Sequence, residues 1–126
     1  MTKVAAAIIV NKKGEILICQ RREDSYCPLM WEFPGGKLES NETLQECLIR
    51  ECKEELEINI EIKKLFAETT YTYPERKIDF TFFISEIVTG EVKNNVHKNT
   101  KWISPSELNK YTFCPADVPV VEKLKK

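Results

Sequence analysis

Glu51, Glu54 and Glu55 crowd into the stretch RECKEELEI (50–58), with Glu57 close behind. If this stretch is helical, a rotation of ~100° per residue puts Leu44, Leu48, Glu51 and Glu55 in one line. Cys47 and Glu54 flank that line on one side and Cys52 on the other. The acidic residues of the second half therefore continue the apolar stripe of the first, where a surface helix would turn them the opposite way. Like charges at i,i+3 and i,i+4 cost roughly 0.2–0.5 kcal/mol per pair, and 51–54 and 51–55 are such pairs. Arg50 can pair with one carboxylate but cannot neutralise three. A divalent cation with hard oxygen ligands can, and Mg2+ or Mn2+ so held usually brings phosphates with it. From the helix alone, a solvated charged face with Lys53 as partner reads equally well.

The loop ahead changes the balance. The segment WEFPGGKLESNE (31–42) supplies Gly35, Gly36 and Lys37. Read alone, the two glycines are a tight turn; glycine also permits φ > 0 and lets backbone approach a ligand closely. A glycine-containing loop, a lysine and a carboxylate helix in sequence are far more specific together than any one of them.

The elements that must position these residues follow from pattern. Residues 4–10 and 15–20 read as a strand pair joined at 11–14. Residues 21–41 read as irregular, broken by Pro28, Pro34, Gly35 and Gly36. Residues 43–56 read as a helix whose start carries a capping box, Thr43 with Glu46. Residues 58–73 are extended, 73–77 a turn and 78–87 β-rich, and 101–103 form a short strand. A short helix starts at 104–108, with Ser104 as cap and Pro105 in its first turn. A final helix spans 115–126, with Asp117 near its N-terminus and lysines at its C-terminus, an order that suits the helix dipole. Strands, a helix, more strands and a closing helix indicate an α/β or α+β sandwich with a mixed sheet.

The chain has 126 residues, 42% hydrophobic and 31% charged, which suits one domain covering 1–126. A net charge of −1 gives no polybasic surface for duplex nucleic acid or an anionic membrane, while a small anionic substrate needs only a few local cations. The five cysteines form no CxxC pair, so reduced thiols in a cytoplasm fit better than a disulfide framework or a zinc site. The start MTKVAAAIIV faintly mimics a signal peptide, but its apolar run passes straight into NKKGEILICQ, and no run is long enough to span a membrane.

Gly36, Glu42, Arg50, Glu51, Glu54, Glu55 and the aliphatic Ile58 stand in the register of the Nudix box, which this segment resembles. Two positions depart from it. Cys52 stands where the family has a large aliphatic residue, and Glu57 where it has glycine, which puts strain into the last helical turn. WEFPGGK, the hairpin at 68–83, the segment WISPSEL and the ending PADVPVVEKL resemble the MutT-like branch, so the likeness covers essentially the whole chain. The resemblance implies an α/β/α Nudix sandwich, a mixed sheet flanked by helices, with the box as loop–helix–loop. It implies Mg2+-dependent (Mn2+ as a substitute) hydrolysis of a nucleoside triphosphate to the monophosphate and pyrophosphate, in the service of nucleotide-pool sanitation. The substrate would be CTP-type or an oxidised purine such as 8-oxo-dGTP. A different nucleoside diphosphate derivative, or a nucleotide-binding module without catalysis, is the alternative. The protein would be a monomer or homodimer.

By position, the resemblance gives metal to Glu51, Glu54 and Glu55, with the Gly35 carbonyl as a further ligand. It gives Glu54 the orienting or deprotonation of the attacking water, and Arg50 the pinning of a carboxylate. Arg22, Glu32, Phe33, Lys37, Tyr73, Arg76 and Asp117 would contact the nucleotide, with one of Arg21 and Arg22 merely solvated. An ionised Asp117 accepts hydrogen bonds only and so suits an exocyclic amine such as cytosine's; a helix N-cap is its competing role. A glutamate common in relatives is replaced by Val96, so no base is assigned in that loop. His97, the chain's only histidine, takes a structural or surface duty.

Overall fold

The run AAAII is apolar at consecutive positions, which a strand with one wet face would not tolerate. The computed structural model describes residues 2–125 and gives that run two buried faces. Ala5, Ala7 and Ile9 enter one core cluster, and Ala6 and Ile8 enter a second. The elements in chain order are β1 (Thr2–Ile9), β2 (Ile16–Gln20), β3 (Trp31–Glu32), β4 (Gly35–Lys37), α1 (Leu44–Leu56), β5 (Asn59–Thr72), β6 (Lys77–Thr89), β7 (Asn99–Ile103) and α2 (Val118–Leu124). Short 3-10 turns at Pro105–Lys110 and Pro115–Asp117 precede α2. None of the described helices is long and apolar enough to cross a membrane.

The larger sheet has the order β4-β1-β6-β5. Strand β1 runs parallel to β6 and antiparallel to β4, so the sheet is mixed. Helix α1 covers one face through Cys47, Leu48, Cys52 and Leu56, and α2 places Val120 and Val121 in the cluster on the other. This is the α/β arrangement of helices on a mixed sheet. A second, antiparallel sheet, β3-β2-β7, stands beside it.

Two local expectations are corrected here. Strands β1 and β2 were expected to pair, yet they share only a bridge, Val10 with Ile16, and enter different sheets. Both edges of β1 are already taken, by β4 and by β6, so no free edge remains for β2. The glycines of the 31–42 loop were expected in a tight turn, within an irregular stretch. They lie instead in β4, Gly35 opposite Ala6 and Gly36 opposite Ala5, with no positive φ. A strand of this length carries no readable period.

Helix α1 starts as its sequence dictates. Thr43 Oγ1 accepts from the Glu46 N–H at 3.1 Å and Glu46 Oε1 accepts from the Thr43 N–H at 2.8 Å. Its end is unusual. Glu57 takes the left-handed conformation, φ 56° and ψ 39°, where glycine is the ordinary choice. The segment after β6 compensates by strapping the helix end. Lys93 N–H donates to Leu56 O at 2.9 Å and Asn95 N–H to Glu55 O at 3.2 Å. Asn95 Nδ2 reaches Glu54 O at 3.2 Å and Glu57 Oε2 at 3.0 Å. Left-handed backbone costs a non-glycine residue roughly 1–2 kcal/mol, and one exposed hydrogen bond returns part of that. Glu57→Gly is therefore expected to raise the unfolding free energy by up to about 1 kcal/mol, read from the midpoint of a urea titration; an unchanged midpoint would show that the strap carries the strain at no cost.

The expected last helix begins as a 3-10 turn and becomes α-helical only at Val118. Its expected end at Lys126 lies outside the described residues. Asp117 occupies the N-cap position of α2 but makes no capping bond with its side chain. Ser104 makes none either, and its Oγ lies 3.0 Å from Ser106 Oγ.

Candidate active site

The glutamates of α1 divide. Leu48 and Cys52 are buried, Glu51 is largely covered with its side chain 15% exposed, and Glu54 points outward at 59%. Arg50 does more than the single pairing expected of it. Its Nε and Nη2 fork onto both oxygens of Glu42 at 3.1 and 2.7 Å, and Nη1 reaches Glu51 at 3.0 Å and Glu54 at 3.3 Å. The planar guanidinium makes this possible, since it presents several donors at once. The Glu42 carboxyl is held down to about 2 by that pairing. Glu51 in turn packs over Gly36, so closely that a Cβ there would stand 2.2 Å from its Cδ.

Glu55 is left without a cation. Burial pushes its carboxyl up to about 8, helped by Glu51, Glu32 and Glu54 nearby. It forms one wall of a cavity of about 880 Å3, a size that suits a small organic ligand. Arg22, Glu32, Phe33, Gly35, Lys37, Glu55, Tyr73, Arg76 and Asp117 all line this cavity, whereas Arg50, Glu51 and Glu54 do not. The long β5–β6 hairpin explains part of that convergence. Its turn, closed by Tyr73 N–H to Arg76 O at 2.8 Å, projects both residues to the cavity rim.

The far wall is more enclosed. Phe33 stacks on Phe113 with centroids 5.5 Å apart. Asp117 is 5% exposed, with the Phe33 backbone near enough to favour its charged form slightly. Burial, with Glu32 adding, raises it well above the ordinary range. Low-dielectric surroundings penalise the charged form, which weighs against the ionised, accept-only group expected of Asp117. A neutral acid offers one donor and one acceptor. Tyr73 sits edge-on between Tyr26 and Tyr71, with centroids 4.8 and 4.7 Å away. Burial lifts its hydroxyl to about 12, so it stays protonated.

Sequence reasoning missed two residues here. Arg21, not Arg22, is the anchored member of its pair, with Nη1 on Glu32 Oε1 at 2.9 Å and Nε on the Tyr26 carbonyl. The alternation Leu17, Cys19, 21 carried that signal, because Leu17 and Cys19 face α1. Of the structural and surface duties expected for His97, burial favours the structural one, and its unforeseen partner is Glu32, whose Oε2 lies 3.2 Å from Nε2. Nothing in the sequence spacing links positions 32 and 97.

The donor set at α1 suits a divalent cation: all carboxylate oxygen, with Glu55 buried beside other carboxylates, a penalty that a bound cation would relieve. Among the described residues, however, no group of three or more His, Cys, Asp or Glu side chains converges closely enough to hold a metal ion. Glu51 and Glu54 pair instead with Arg50.

A family model described as the NUDIX domain matches residues 1–124. The chain is similar to the 8-oxo-dGTP diphosphatase of Escherichia coli K12, 36% identical over 124 residues, covering 98% of this chain and 96% of that protein. It is similar also to the CTP pyrophosphohydrolase of the same organism, 34% identical over 122 residues, covering 97% and 90%. Among solved structures, the MutT protein from Methanosarcina mazei Go1 superposes with a TM-score of 0.87 at 27% identity, covering 97% of this chain and 91% of that one.

Proposed function

The chain belongs to the NUDIX family, and from that premise we propose that it is a Mg2+-dependent pyrophosphohydrolase that cuts nucleoside triphosphates to the monophosphate and pyrophosphate. The observation that carries this reading is one cavity with an acidic end at Glu55 and a base-sized, enclosed end at Phe33 and Asp117. In this reading residues 1–126 work as one catalytic domain.

Glu51, Glu54, Glu55 and the Gly35 carbonyl would hold the metal, once Arg50 gives up Glu51 and Glu54 and keeps its fork on Glu42. A bound divalent cation would lower the pKa of an attacking water and spread the charge that develops on the phosphates. Glu54, solvent-facing on the last full turn, is free to orient that water or take its proton. Lys37, Arg22 and Arg76 are exposed cations at the mouth, placed to draw in a polyphosphate. Tyr73 offers a flat aromatic face for a base.

Base choice falls to Asp117. As a neutral acid it can pair with an edge that presents one donor beside one acceptor. Cytosine does so through its amine and N3, and 8-oxoguanine through N7–H and O6. Unmodified guanine shows two acceptors at that edge and leaves one partner unmatched. Both substrate classes named among the relatives therefore fit, and guanine does not fit through its N7/O6 edge. An amide also carries a donor and an acceptor, so Asp117→Asn is expected to keep the preference over dGTP within a few-fold. Asp117→Leu removes both groups and is expected to lose that preference about tenfold or more. A reversed ranking of the two variants would reject the neutral-acid argument.

The reading as a whole is tested by incubating the protein with CTP, 5-methyl-dCTP, 8-oxo-dGTP, dGTP and dinucleotide polyphosphates, with Mg2+ or with EDTA. Pyrophosphate and monophosphate released only with Mg2+ are expected from the first three. Turnover confined to the dinucleotide polyphosphates would move the chain to another substrate class.

A further inference from the structure

The carboxylate of Glu32 is gripped from both sides. Arg21 Nη1 holds Oε1 at 2.9 Å and His97 Nε2 holds Oε2 at 3.2 Å. Glu32, Glu55 and Asp117 line the same cavity, and the Glu32 charge bears on both of the others. A fixed anion thus bears on both the acidic end and the base end.

His97 is placed for this grip alone. It is 8% exposed, and its Nδ1 is buried without a hydrogen-bond partner. Its backbone N–H is tied to Asn94 Oδ1 at 2.9 Å, in the strap that caps α1. A carboxylate only accepts, so the ring must donate from Nε2. A bare Nδ1 is then the cheaper orphan, because a second proton there would bury an unmet donor next to the first.

We infer that His97 and Arg21 are positioning residues that lock the Glu32 carboxylate as a rigid charge bearing on both the metal-holding glutamates and the base pocket. Either donor alone leaves the carboxylate free to turn about its last torsion; the two together fix its plane. The charge Glu32 presents to both ends is then constant in place as well as in sign. Through the strap, the same loop that closes α1 delivers His97, so the α1 terminus and that charge are set together. The inference rests on the proposed reaction for its kinetic arm only.

The test begins on the unmodified protein, before any activity is measured. With one histidine in the chain, a long-range 1H–15N spectrum reports a single ring. A protonated Nε2 and a bare Nδ1 are expected; the opposite tautomer, or a ring averaging between both, overturns the grip whatever the enzyme does. The kinetic arm compares His97→Gln, whose amide can donate where Nε2 does, with His97→Leu, which cannot. His97→Leu is expected to lower kcat/KM by about 10–100-fold, the usual scale for removing a partner that orients a functional side chain, with His97→Gln restoring most of it. Glu32→Gln combined with His97→Leu should be no worse than Glu32→Gln alone, because both changes release one unit. Additive losses, or a His97→Gln variant as poor as His97→Leu at equal thermal stability, would sink the inference. Failure of the substrate panel with the expected tautomer present would instead count against the reaction, not the grip.

Discussion

Glu55→Gln is expected to lose the proposed Mg2+-dependent hydrolysis and at the same time to become the more stable protein in EDTA. Both effects come from one carboxylate. Its burial beside Glu51, Glu32 and Glu54 raises it to about 8, against about 4.3 in an unfolded chain. Between those values the folded state binds more protons than the unfolded one, so stability falls as pH rises through the window and the full penalty stands above about pH 8. The amide carries no charge, so the variant should lose the part of this pH dependence that Glu55 contributes. Added Mg2+ should restore the wild-type protein at the alkaline end and leave the variant nearly unchanged. Activity moves the other way, by on the order of 10²–10³-fold, the scale on which removing one preorganised electrostatic partner acts. Melting curves from pH 5 to 9, with EDTA and with Mg2+, check the stability half. A wild-type curve parallel to that of the variant would mean that the clustered carboxylates do not repel as their positions imply.

That pairing of opposite signs explains how legible this site was. The line Leu48, Glu51, Glu55 follows from helical rotation, and the capping box fixed where the rotation starts, so α1 could be read from its own residues. What a helix cannot state about itself is what lies opposite. Arg50 was expected to hold one carboxylate, yet its nearest strong partner is Glu42, in the loop before the helix, and it also reaches the outward-facing Glu54. The same limit hid the burial of Asp117, which raises its carboxyl above the ordinary range and depends on the cavity wall closing over it. Strand partners were also beyond local reading. Strands β1 and β2 carry strong apolar patterns and a well-formed turn, with Asn11 Oδ1 accepting from Lys13 and Glu15 N–H groups. Their pairing was decided elsewhere, by β4 and β6 occupying the edges of β1.

Two adjacent glycines separate folding from chemistry. A Cβ on Gly35 would stand 2.0 Å from Ala5 O and 2.7 Å from Ala6 Cα, backbone atoms of the central strand that have nowhere to go. Gly35→Ala must therefore push β4 off β1, and about 3 kcal/mol or more of stability is expected to go with it, a large share of the 5–15 kcal/mol typical of a domain. A Cβ on Gly36 meets only the end of a flexible side chain, Glu51, at 2.2 Å from Cδ and 2.5 Å from Oε2. Glu51 can swing away while Arg50 keeps both its bonds to Glu42. Gly36→Ala should then fold with a loss of about 1 kcal/mol or less, since the broken contact is one partly exposed ion pair. Its activity should nevertheless fall about 10²-fold, because a displacement of roughly 1 Å in a functional group suffices for that. Urea midpoints and kcat/KM, measured on both variants, give the contrast directly. Equal destabilisation of the two would show that Glu51 is as immovable as the strand. Full activity in a folded Gly36→Ala protein would remove Glu51 from the reaction, because the place it occupies against Gly36 would then have no chemical purpose.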